Sequence, residues 1–274
     1  MSVVPVYQEH PQRVGTPARR DLAHLRERVG FLREVGIVAL AAYIYFFVRG
    51  LIHSRESEAI SNARWLVDKE QMLGIFHEPQ IQSWILGHQW LVNLANSVYI
   101  YGHWPVVAGT LTWLFIKHRE AFPVFRSAML VSGGIGIIFF ITFPMAPPRF
   151  LSDLGFVDTV LLHSEAYRVL QPPSLTNQFA AMPSLHVGWN LLMGVAIVKY
   201  ASHPAAKAFG MVMPLMMYAA TILTANHYVL DGLVGSTLAL TGLAIAWKLS
   251  GPKLPVWTER RIVPQPVGPT SLSA

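Results

Sequence analysis

Six apolar stretches dominate this chain, most of them close to the ~20 residues that cross a bilayer's hydrocarbon core. They run from about Phe31 to Ile52, Gln89 to Lys117, Val124 to Phe143, Pro183 to Lys199, Ala208 to Thr224 and Tyr228 to Leu249. Of the 274 residues only 13% are charged and 53% are hydrophobic. Soluble chains average roughly 25% charged. The expectation is an all-α, polytopic six-transmembrane-helix bundle. The second stretch is long and holds Gly102 and Pro105, which allow one tilted or kinked span or a broken one; one span is preferred because Lys117, His118 and Arg119 then make a cytoplasmic turn.

The net charge of +6 does not signal nucleic acid, because the basic residues gather at the ends of apolar stretches, as the positive-inside rule describes. An N-terminal tail (residues 1–30, with Arg13, Arg19, Arg20, Arg26 and Arg28) and a C-terminal tail (251–274, with Lys253, Arg260 and Arg261) flank a membrane domain at 31–250. Six spans put both tails in the cytoplasm, together with the Lys117–Arg126 and Lys199–Lys207 turns. No cleavable signal is expected, since the first span begins about thirty residues in.

Between the first two spans, Ser54 to about Phe76 alternates Ala59, Ala63, Leu66, Val67 and Met72 with charged residues. That pattern predicts an amphipathic interfacial helix after the first span, ended by Gly74 and Pro79. A long irregular link, Pro144 to Ala181, carries five prolines and Arg149. Links of that length are usually functional or disordered.

Cysteine is absent, so there is no thiolate nucleophile, disulfide or cysteine metal site. Histidines, carboxylates and hydroxyls must carry any chemistry, and neither a metal nor a cofactor is expected. His186 and His227 both sit at starts of predicted spans on the outer side. Ionisable residues at such places are expensive and usually functional. His227 and Asp231 are four apart, which on a helix puts them on one face. A carboxylate on one ring nitrogen fixes the tautomer and frees the other nitrogen to attack. Helix N-termini attract anions, so two such starts with two histidines and Arg149 describe a phosphate site. Asn226, Ser184 and Tyr228 are further hydrogen-bonding candidates. The matching mechanism has His227 attacking phosphorus and His186 protonating the leaving oxygen.

Ala180-Ala181-Met182-Pro183-Ser184-Leu185-His186 and His227-x-x-x-Asp231 resemble the second and third motifs of the phosphatidic acid phosphatase type 2 superfamily. The Pro-Ser-Leu-His form is similar to the branch containing inositol phosphorylceramide synthases. The resemblance covers about Ala59 to Gly235. It implies a six-helix fold with an outward-facing site, with His227 as nucleophile, Asp231 as its orienting partner and His186 as general acid; it implies no metal. The chain departs from the family's first motif, Lys-x6-Arg-Pro: its nearest match is Ala146-Pro147-Pro148-Arg149, and no lysine lies seven residues before Arg149. The Ser-Arg pair that opens the third motif is replaced by Ala220 and Thr221. Arg149 is left as the main cation, with Arg168 and Lys69 as further candidates.

Simpler readings stand beside these. Ser184 is read first as a helix cap, and Asn226 and Tyr228 as site or packing residues alike. Tyr99 and His103 share a helical face; a structural hydrogen bond is preferred over a place at the pocket's border. Glu70 is read as a salt-bridged surface residue, with an acceptor-site role as the alternative. The expected activity is that of a cell-membrane phosphatase or phosphotransferase acting on lipid or prenyl phosphates, and the Pro-Ser-Leu-His form tilts it slightly toward transfer or specialised prenyl-phosphate chemistry. A transferase moving a phospho-headgroup to an inositol, sugar or lipid hydroxyl is the alternative. A transporter using histidines as a proton relay lacks an evident inverted repeat, and the spans and missing cations oppose haloperoxidase-type chemistry. Membrane lipids are the expected surroundings, and nucleic acid is not an expected partner.

Overall fold

A computed structural model describes residues 55–163 and 178–250, together with positions 30, 32–34, 36–37, 39–41, 43–44 and 47. The expected tails before Gly30 and after Ser250, residues 48–54, and the 164–177 part of the link, with Arg168, lie outside the described residues. The described positions between 30 and 47 are helical and belong to a unit of their own.

The second unit is built from helices. They are α1 (Glu56–Met72), α2 (Glu78–Leu86), α3 (Gln89–Tyr101), α4 (Trp104–Lys117), α5 (Phe122–Thr142), α6 (Thr159–His163), α7 (Leu185–Tyr200), α8 (Pro204–Leu223) and α9 (Val229–Ser250). Three of them, α5, α8 and α9, are long and apolar enough to cross a membrane. The sixteen-residue α7 packs most extensively against α8 and α9, and α9 also packs along α5. A core of Phe125, Ala128, Leu192, Met193, Ala196 and Ala239 fills the space between α5, α7 and α9.

Helix α1 carries the expected amphipathic stripe: Ala59, Ala63, Leu66 and Val67 are buried. It ends where Gly74 takes a left-handed φ of +68° and Ile75 N–H reaches back to the Glu70 carbonyl, a conformation that favours glycine. Pro79 does not end this helix. It sits in the first turn of α2, where a missing N–H costs nothing. The sequence reading had no element there.

The second apolar stretch is interrupted. Helices α3 and α4 meet at Gly102 and His103. Pro105 in the first turn of α4 lacks the N–H that would tie the two together. The two helices nonetheless progress along the bundle in one direction. Val92 and Ala95 cluster with Leu223 at the end of α8, Tyr99 and Ile100 with Met213 and Met217, and Val107 and Leu114 with Met193 and Ala196. The break leaves His103 buried at the turn.

Backbone hydrogen bonds fix the start and the end of the link after α5. Met145 N–H donates to the Phe179 carbonyl at 2.9 Å and Ala181 N–H to the Met145 carbonyl at 3.1 Å. Ala146 N–H bonds to Ala59 of α1, and Arg149 N–H to Ala225 after α8, at 3.0 and 2.9 Å. These bonds draw the first motif over the starts of α7 and α9.

Candidate active site

Two helix starts meet because small residues let them. A Cβ on Gly235 would lie 2.1 Å from the Ser184 carbonyl oxygen, and one on Gly188 would lie 2.4 Å from the Gly235 carbonyl oxygen. Only glycine permits that approach. Ser184 N–H also donates to the Asp231 backbone carbonyl at 3.0 Å. Ser184 itself is the N-cap of α7: its hydroxyl accepts from Val187 N–H at 3.4 Å, and its side chain is fully buried. Pro183 precedes the helix rather than opening it.

His186 thus stands in the first turn of α7, with its ring centroid 5.6 Å from that of His227. His227 lies before α9, not within it, since that helix begins at Val229. The expected one-face pair on a helix is therefore a loop residue facing a first-turn residue. His227 Nδ1 is 2.8 Å from the Ala181 carbonyl and 3.4 Å from Asp231 Oδ2. A carbonyl oxygen only accepts, so Nδ1 is the donor of that bond and Nε2 is the ring nitrogen outside it. Asp231 Oδ2 also accepts from Tyr228 N–H at 3.0 Å, the reciprocal half of a capping box.

Arg149 lies beside this pair. Its guanidinium donates to Asn226 Oδ1 at 2.5 Å and stands 3.5 Å from Asp158. Asn226 in turn donates to the Thr224 hydroxyl and carbonyl. It is a bracket between the end of α8 and the arginine, and it stands next to His227 in sequence. Tyr228 is fully buried and gives its hydroxyl to the Ala146 carbonyl at 3.3 Å; it packs the link against α9. Lys69 is turned to Trp65 and Met72 on α1 and has no place in this cluster.

Two groups weighed lightly in the sequence belong here. Tyr99 stacks on the His186 ring at 4.9 Å, and His103 lies 4.4 Å from it on centroid distance. Asn190 Nδ2 donates both to His103 Nδ1 and to the His186 carbonyl, each at 3.0 Å. The helical face shared by Tyr99 and His103 was one signal and Gly102 with Pro105 the other; the interruption they mark places His103 at the turn beside His186.

The start of α9 departs furthest from expectation. Its first three amides are not free to hold an anion. Tyr228, Val229 and Leu230 N–H groups donate to Asp231, Glu78 and Glu70, at 3.0, 2.9 and 2.8 Å. Glu70 is fully buried and makes no ion pair among the described residues, so the reading of a salt-bridged surface residue is corrected. Burial, the neighbouring Glu78 and, more weakly, Asp231 push its carboxyl up to about 9. Glu78 was not singled out in the sequence at all.

A cavity of about 680 Å³ opens at the other end of α7, among Trp113, Lys117, His118, Tyr200 and His203. It is far from the histidine cluster and shares none of its residues. Among the described residues no group of three histidine or carboxylate side chains is placed to hold a metal ion.

The family model of the PAP2 superfamily matches residues 64–245. The match runs from α1 into α9 and includes Arg149, Asn190, the three histidines and all three carboxylates at the start of α9. No curated protein and no solved structure matches the chain. With two thirds of its length matched and its histidine motifs inside that span, the chain belongs to the PAP2 superfamily, whose members are phosphatases and phosphotransferases.

Proposed function

We propose that this protein is an integral membrane enzyme that cleaves phosphate esters of lipids or prenyl alcohols through a phosphohistidine. His227 Nε2 attacks phosphorus, forming the N–P bond as the P–O bond to the leaving group breaks. His186 gives its proton to that leaving oxygen. In the second half, water loses its proton to His186 and displaces the phosphoryl group from Nε2. Arg149, held by Asn226, faces the phosphoryl oxygens. The observation that carries the reading is the pairing of a pinned Nδ1 on His227 with a second imidazole whose ring lies 5.6 Å away.

Six spans are part of the proposal: the first near 31–52, α3 with α4 as the kinked second, then α5, α7, α8 and α9. Both termini are cytoplasmic, and the histidines open toward the outer leaflet. The Pro-Ser-Leu-His form and the absent third-motif arginine keep an inositol phosphorylceramide synthase-like transferase as the second reading, with an alcohol in place of water.

Purified protein given a panel of lipid and prenyl phosphates should release phosphate or form a phosphodiester. His227→Ala should lower turnover by on the order of a thousandfold or more. Turnover unchanged in that variant would remove His227 from the chemistry.

A further inference from the structure

Three carboxylates converge on the first turn of α9, one from each of three segments. Glu70 comes from the last turn of α1, Glu78 from the first residue of α2, and Asp231 from α9 itself. All three are 0% exposed. Each spends one oxygen on a successive amide: Asp231 on Tyr228, Glu78 on Val229 and Glu70 on Leu230. Each also has one buried oxygen with no hydrogen-bond partner: Glu70 Oε2, Glu78 Oε2 and Asp231 Oδ1.

Acceptors cannot satisfy acceptors. A buried carboxylate oxygen without a donor is costly, and several anions packed together repel one another. Among the described residues no lysine, arginine or histidine pairs with Glu70 or Glu78. The other titratable groups facing them are Asp231, bonded to His227, and two phenols. Tyr218 donates its hydroxyl to the Val229 carbonyl and Tyr228 donates to the Ala146 carbonyl. Neither phenol proton is available to the carboxylates. One proton between Glu70 and Glu78 gives each of the two a partner and removes one negative charge.

Resting on the reading of His227 as the group that meets phosphorus, we propose that Glu70 and Glu78 are positioning residues: a single proton shared between them clamps the first turn of α9 and so holds Asp231 and His227 in line. The clamp explains why α1 and α2, which carry no other part of the histidine cluster, are packed beside it. It also leaves Asp231 outside the shared proton, with its carboxylate beside His227.

The sign of the pH effect follows from the direction of the shift. The Glu70 proton is held more tightly in the folded protein, up to about 9, than at its ordinary value of 4.5. Its stabilising contribution is complete below about 4.5 and is lost progressively as pH rises toward about 9. Glu70→Gln keeps an acceptor for Leu230 N–H and supplies a permanent donor for Glu78, so it imitates the protonated state at every pH.

The test uses the full chain in lipid nanodiscs, as wild type, Glu70→Gln, Glu70→Ala and Glu78→Gln. Thermal midpoints are measured at about pH 6 and about pH 9.5, either side of most of the expected loss, and turnover is measured on a lipid phosphate. Glu70→Gln should keep turnover within about threefold of wild type, and its midpoint should fall less on alkalinisation. Glu70→Ala should lower kcat by about tenfold or more with little change in KM, because alignment rather than binding is lost. Glu78→Gln should resemble Glu70→Gln. Two results overturn the clamp: Glu70→Gln as impaired as Glu70→Ala, or parallel alkaline loss of stability in Glu70→Gln and wild type. If wild type turns over no lipid phosphate, the enzyme reading fails, and the stability measurements still decide whether the proton is shared.

Discussion

At the scale of single residues, the two histidines are separable by chemistry. A general acid matters only where the leaving oxygen needs a proton, a contribution of roughly 10²- to 10⁴-fold. His186→Ala should therefore lose activity on an alkyl lipid phosphate and keep much of it on an aryl phosphate with an acidic leaving group. Equal losses on both, measured as kcat/KM, would assign His186 another part. Arg149→Ala should raise KM on the order of ten- to hundredfold, the worth of a charged hydrogen bond. Asn226→Ala should move KM in the same direction but less, since it loosens the arginine without deleting it. His186, His227, Asp231, Arg149 and Asn226 were legible from motif and position, and the structure gathers them. Glu70 and Glu78 were not. Two glutamates eight residues apart in a charged segment read as surface, and only the docking of α1 and α2 against the start of α9 buries them.

At the scale of elements, the site depends on how closely α7 approaches α9. Gly235→Ala forces a methyl against the Ser184 carbonyl. Overpacking of that kind costs about 1–3 kcal/mol, and it also parts His186 from His227. Both the thermal midpoint and kcat should fall. Gly134→Ala, in α5 with nothing within 4 Å of the added carbon, should instead stabilise by up to about 1 kcal/mol through helix propensity alone. Equal effects of the two substitutions would mean that the α7–α9 contact does not govern the site. Periodicity located the helices that span or nearly span the bundle, because long apolar runs leave few alternatives. It missed α2, whose nine residues are too few to establish a period. It also read His227 and Asp231 as sharing one helical face, since sequence spacing does not reveal that Asp231 caps the turn backward onto Tyr228.

At the scale of the whole molecule, charge distribution assigned one side to the histidines and the other to the basic turns. Ser83 on α2 and Ser202 between α7 and α8 are both exposed and lie on opposite predicted sides. The chain has no native cysteine, so single cysteines at these positions should react from opposite faces of sealed vesicles with an impermeant thiol reagent. Same-side labelling would break the proposed topology. The proposed function converges on one event, transfer of a phosphoryl group onto His227 Nε2. The most direct measurement is to quench the enzyme in alkali during turnover of a phosphorus-labelled lipid phosphate and map the label by peptide. The account predicts label on the peptide containing His227, absent in His227→Ala. Steady turnover with label on another residue, or with none at any quench time, would contradict it.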